Sequence, residues 1–111
     1  MIRIDIKPFS VNEAWKGKRY KTDKYKKYES DVLFLLPKIK LPEAPYKISF
    51  IFGMSNLASD WDNPCKLIQD ILQKKYGFND KNVFEAHILK KKVEKKKEYI
   101  EFKIETYFEK K

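Results

Sequence analysis

Asp60 and Asp62 lie two residues apart in the segment SNLASDWDNPCK (Ser55 to Lys66), so in extended backbone their carboxylates point the same way. Lys66 follows Asp62 by four residues, one helical turn, where its ammonium can stand over the same spot. Asp70 continues that polar face, and Asp80 falls in the turn after Gly77, at the mouth of a strand that carries Glu85. Clustered carboxylates repel one another, and a hard divalent cation such as Mg²⁺ relieves the repulsion. In phosphodiester hydrolysis such ions activate water and stabilise the leaving oxygen, and a nearby lysine neutralises charge developing on the phosphate. The same spacing also suits a plain cap and a solvated turn, so by itself it leaves both readings open.

These residues need elements to hold them. Ile2, Ile4 and Ile6 alternate with Arg3, Asp5 and Lys7, the period of a half-buried strand, closed by Pro8. Phe9 to Lys21 has no clean periodicity and reads as a basic, aromatic-rich loop. Thr22 is a suitable N-cap for a helix with Asp23 in its first turn, and Tyr25, Tyr28, Val32 and Leu35 fall on one face before Pro37. Ile48, Phe50 and Phe52 mark a second strand ending near Gly53. Pro64 suits the first position of a second helix, whose stripe is Leu67, Ile68, Ile71 and Leu72 and whose end is Gly77. Val83 to Leu89 reads as a third strand, Val93 to Glu98 as a Lys-rich turn, and Tyr99 to Phe108 as a fourth strand. The last two strands are expected to form an antiparallel hairpin. The predicted fold is a single α/β domain of the α+β type over residues 1–111, in the order β-α-β-α-β-β, with a mixed sheet of about four strands and two helices.

Composition narrows the partners. The 111 residues include 25 Lys and Arg against 16 Asp and Glu, a formal charge of +9, which favours a polyanion such as nucleic acid. Asn12, Lys16, Lys18, Arg19, Tyr20 and Lys21 form a basic cluster with interleaved aromatics, suited to phosphates and to stacking on an unpaired base; with Trp15 in the core, the lysines would simply be solvated. Lys90 to Lys92 and Lys95 to Lys97 make a second basic patch, in which Lys91 and Lys95 are candidate DNA contacts. The single cysteine, Cys65, allows no internal disulfide. No apolar run is long enough to span a bilayer and no signal peptide is evident, so a cytoplasmic protein without membrane contact is expected. His87 shares a strand face with Glu85, a pairing more often ordinary than catalytic.

Ser59 to Lys66, SDWDNPCK, resembles the RusA family of crossover junction endodeoxyribonucleases, which carry D-x-D-N-x-x-K, then a helix, a Gly-aromatic or Gly-aliphatic pair and a further Asp before a strand. Here these are Asp60, Asp62, Asn63, Lys66, Gly77-Phe78 and Asp80, and Asp80-Lys81-Asn82-Val83 is similar to the family's run at that point. Phe9-Ser10-Val11-Asn12 looks like the family's opening without its proline. Pro64-Cys65 departs from the residues usual at those positions. The resemblance implies a small homodimer, of bacterial or phage origin, that resolves Holliday (four-way) DNA junctions by symmetric paired cuts with Mg²⁺ or Mn²⁺. It assigns Asp60, Asp62 and Asp80 as metal-binding and catalytic carboxylates and Lys66 as the catalytic lysine. Other readings of the residues are a non-catalytic nucleic-acid-binding module, a less selective nuclease of the same chemistry, and a structural protein of a phage particle.

Overall fold

Tyr46, Ile48, Phe50 and Phe52 alternate with Lys47, Ser49 and Ile51, and this pattern becomes the longest central strand of the sheet. The computed structural model describes residues 1–9, 15–16, 20–56 and 63–109, with positions 15, 16, 20 and 63 described through their backbone. In chain order the strands are β1 (Ile2–Ile4), β2 (Trp15–Lys16), β3 (Tyr20–Lys21), β4 (Tyr46–Met54), β5 (Val83–Lys92) and β6 (Tyr99–Thr106). The helices are α1 (Asp23–Leu35) and α2 (Asn63–Tyr76), and a single 3-10 turn (Asp80–Asn82) leads into β5.

The main sheet is mixed, in the order β1-β6-β4-β5. β4 pairs parallel with β5 and antiparallel with β6, and β1 pairs antiparallel with β6. Phe50 lies opposite Phe102 and Phe52 opposite Ile100, so the even-numbered side chains of both strands share one face. That face is covered by Tyr25, Tyr28 and Val32 of α1 and by Leu67, Ile68, Ile71 and Leu72 of α2, all within one core. The other face is only partly shielded and carries Lys47, Ser49, Ile51, Lys103 and Glu105. The expected α+β domain of four main strands and two helices is therefore present, as two layers.

The last two strands do not form a hairpin. β4 lies between β5 and β6 and pairs with each of them. The Val93–Glu98 link crosses the end of β4, where the Val93 N–H donates to the Met54 carbonyl at 3.0 Å. Six residues easily span two strand spacings of about 5 Å each. The driving force is burial: Ile48, Phe50 and Phe52 are at most 1% exposed, which requires neighbours along both edges of β4.

Local signals set the helix ends. The Thr22 hydroxyl accepts from the Tyr25 N–H at 3.2 Å and caps α1 as expected. At the other end Leu36, just beyond the helix, is buried, whereas Leu35 is 43% exposed, so the apolar stripe ends one residue later than its spacing suggests. Pro64 is fully buried in the first turn of α2. Gly77 takes a φ of +75°, the left-handed conformation that ends helices, and its N–H donates to the Gln73 carbonyl. Part of the segment read as a loop is a small ribbon, with Trp15 opposite Lys21 and Lys16 opposite Tyr20. Among the described residues, no helix is long and apolar enough to cross a membrane.

Gly53 lies opposite Tyr99, and a Cβ at this position would overlap carbons of the Tyr99 ring. Arg3 stacks on that ring at 3.9 Å and fixes it in place. Gly53→Ala should therefore cost about 1–3 kcal/mol, as overpacking does, and urea unfolding should show a lower midpoint at unchanged slope.

Candidate functional site

The cap at Thr22 starts α1 so that Lys21, Tyr25 and Glu29 line up along one side of it. Lys21 Nζ donates to Glu29 Oε2 at 2.9 Å and lies 5.3 Å from the centre of the Tyr25 ring. From α2, Lys74 Nζ donates to Glu29 Oε1 at 3.1 Å, so both oxygens of this carboxylate are held by lysines. Partial burial pushes the Glu29 carboxyl up, but the two lysines outweigh it and hold the group below the ordinary value of 4.5.

In α2, Lys66, Asp70 and Lys74 recur every four residues and so share one side of the helix. Lys74 reaches Glu29, which turns this side towards α1. Asp70 is held above the ordinary aspartate value of 3.8, first by partial burial, then by the Asp80 and Glu29 carboxylates; Lys66 and Lys21 oppose the shift without cancelling it. The Tyr25 phenol is pushed up to about 12 by burial, with Glu29 and Asp70 adding to the effect.

Gly77 releases the chain from α2, and Asn79 caps the following 3-10 turn, its side-chain oxygen accepting from the Lys81 N–H at 3.0 Å. The turn delivers Asp80, exposed, immediately before β5, as the sequence places it. Among the described residues no three His, Cys, Asp or Glu side chains gather closely enough to hold a metal ion. Asp80 adds to the upward push on the Asp70 carboxyl, after the effect of partial burial. Asp60 and Asp62 lie outside the described residues, as do Asn12, Lys18 and Arg19.

The other expected residues are distributed as follows. Lys66 and Asp80 both act on the Asp70 carboxyl. Lys21, expected on DNA, is committed to Glu29. Lys16 and Tyr20 pair across the β2–β3 ribbon. Lys91, at the far end of β5 and about 30 Å along the strand from Asp80, and Lys95, in the link beyond it, are exposed, so a single chain does not bring Lys91 to the carboxylates. His87 Nε2 and Glu85 Oε2 are hydrogen-bonded on the open face, and Glu85 also lies 4.0 Å from Lys47 Nζ. Glu29 and Lys74 escaped the sequence reading; their signal was the four-residue spacing from Tyr25 and from Asp70, on two helices whose contact the sequence does not show.

Opposite stability effects follow from the two shifted carboxyls. The folded pKa of Glu29 is depressed, so its contribution is present above pH 4.5 and is lost as pH falls through the folded value. The folded pKa of Asp70 is raised, so its ionisation costs stability as pH rises from 3.8 through the folded value. Thermal unfolding at pH 7 should therefore show a lower Tm for Glu29→Gln and a higher Tm for Asp70→Asn, and the Glu29→Gln difference should shrink on acidification below pH 4. No protein-family model matches the chain and no curated protein matches it, so its functional reading rests on these residues and their geometry.

Proposed function

We propose that this protein is a metal-dependent endodeoxyribonuclease that resolves four-way DNA junctions by paired strand cuts. The observation that carries the nuclease reading is that Lys66 and Asp80 both lie within electrostatic reach of Asp70, in a chain with a formal charge of +9. Carboxylates grouped with a lysine in a strongly basic protein suit a hard cation and a polyanionic substrate. The choice of a four-way junction over other DNA rests on the resemblance of Asp60, Asp62, Asn63, Lys66 and Asp80 to the RusA motif.

In this reading Asp60, Asp62 and Asp80 would hold Mg²⁺ or Mn²⁺, which would supply Lewis-acid activation of water and of the scissile phosphate. The Lys66 ammonium neutralises negative charge that grows on the phosphate oxygens as the water oxygen bonds to phosphorus and the P–O bond to the leaving strand breaks. Asp70 lies one turn from Lys66 and steers its ammonium by charge. Lys16, Lys18, Arg19 and Tyr20 contact backbone phosphates and an unpaired base.

A labelled synthetic four-way junction, incubated with the protein in Mg²⁺ or Mn²⁺ and in EDTA, provides the test. Symmetric cuts that need metal, spare linear duplex and fall at least 100-fold in Asp62→Asn and Asp80→Asn are expected. Lys66→Ala should slow cutting while junction binding persists. Tight binding with no cutting in either metal would remove the catalytic assignment and leave a nucleic-acid-binding module. That second reading draws on the exposed lysines at the end of β5, which bind phosphates without any carboxylate.

A further inference from the structure

The β2–β3 ribbon is joined by the pairs Trp15 with Lys21 and Lys16 with Tyr20, and among the described residues it belongs to no larger sheet. A two-stranded ribbon alone in water is marginal at best, so its position is set by what it is tied to. Lys21, its last residue, provides a tie. The Lys21 ammonium donates to Glu29 Oε2 at 2.9 Å and lies 5.3 Å from the centre of the Tyr25 ring. Both partners are shielded, with 31% and 16% of their side chains exposed. Solvent and salt therefore screen this pair less than they screen ion pairs on the open surface.

The same carboxylate reaches the other way. Glu29 Oε1 accepts from Lys74 Nζ at 3.1 Å, and Lys74 shares its side of α2 with Lys66, about 12 Å earlier along the helix. Glu29 thus stands between the ribbon segment, where the sequence places Lys16, Lys18, Arg19 and Tyr20, and the helix that carries Lys66. The two helices are also held to each other by the core beneath them. The Lys21–Glu29 bond is then the joint at which the ribbon can loosen while the helices stay in place.

We propose that Glu29 is a positioning residue, which holds the ribbon at a fixed distance from Lys66 by binding Lys21 with one oxygen and Lys74 with the other. The joint itself follows from these contacts; its role in cutting rests on the nuclease reading, in which the ribbon grips DNA and Lys66 acts at the scissile phosphate. Glu29 touches neither DNA nor metal there. It sets which phosphate of a gripped strand arrives beside Lys66. The carboxylate suits the task because the same two lysines keep it ionised to below its ordinary value of 4.5. A misplacement of about 1 Å at a reacting centre costs on the order of 100-fold in rate, so a loose joint is felt in cutting well before it is felt in binding.

The joint is tested first in the full chain without DNA or metal. Limited trypsin digestion should cut between Lys16 and Lys21 at least about fivefold faster in Glu29→Gln than in wild type, while cutting in the Val93–Glu98 link keeps its rate. Gly53→Ala, which strains the sheet and leaves the joint intact, should be cut between Lys16 and Lys21 at the wild-type rate. On a labelled four-way junction in Mg²⁺, Glu29→Gln should bind within about threefold of the wild-type Kd but cut at least about tenfold more slowly at saturating protein. Its cuts should also spread over neighbouring phosphates. Lys74→Met, which opens the bridge at its other end, should spread them likewise. Gly53→Ala should keep the wild-type cut positions, since lost stability lowers the amount of folded enzyme and not its register. Unchanged ribbon cleavage in Glu29→Gln would overturn the joint, and an unchanged cutting rate with unchanged positions would overturn its positioning role. A wild-type chain that cuts nothing refutes the nuclease reading and that role with it, while faster ribbon cleavage in Glu29→Gln still establishes the joint. A chain that cuts junctions, with ribbon cleavage unmoved by Glu29→Gln, refutes the joint alone.

Discussion

The structure depends on the burial of β4. Tyr46, Ile48, Phe50 and Phe52 are removed from water on one face, and both edges of the strand must find hydrogen-bonding partners. The chain meets this demand with β5 on one side and β6 on the other, in opposite senses. A parallel neighbour requires a crossover, and α2 is that crossover. The residues of the proposed catalytic group all fall on the crossover or at its ends in the sequence: Asp60 and Asp62 before α2, Lys66 and Asp70 within it, and Asp80 between it and β5.

The helices covering β4 serve a second purpose at their exposed seam. Their inner faces supply the apolar layer, and at the seam Glu29 of α1 is held by Lys74 of α2 and by Lys21, which precedes α1. Glu29 is satisfied there, with a lysine on each oxygen, and stabilises the contact between α1 and α2. Asp70, on α2, is held above its ordinary value by partial burial and by the Asp80 and Glu29 carboxylates, against Lys66 and Lys21.

The sheet gives the fold a direction as well as a platform. Its helix-covered face is saturated with apolar side chains, while the opposite face is laced with ion pairs such as Lys103–Glu105 and Arg3–Glu101. That charged face is stable in water as it stands. The long edge at β5 carries the exposed side chains of Phe84 and Leu89, and among the described residues no strand lies beyond it; it begins directly after the turn that bears Asp80.

The sequence by itself determined the elements and the types of residue at the site. Period-two and helical apolar spacing, the Thr22 cap and the stop at Gly77 are local, and local sterics and capping act the same way in any fold. Asp80 at the mouth of β5 and Asp70 on the Lys66 side of α2 were readable for the same reason. Tertiary structure alone decided that β4 separates β5 from β6, that Leu36 rather than Leu35 is buried, and that Glu29 is clamped by Lys21 and Lys74. Strand order and helix contacts depend on which surfaces bury each other across tens of residues, and neither periodicity nor capping carries that information.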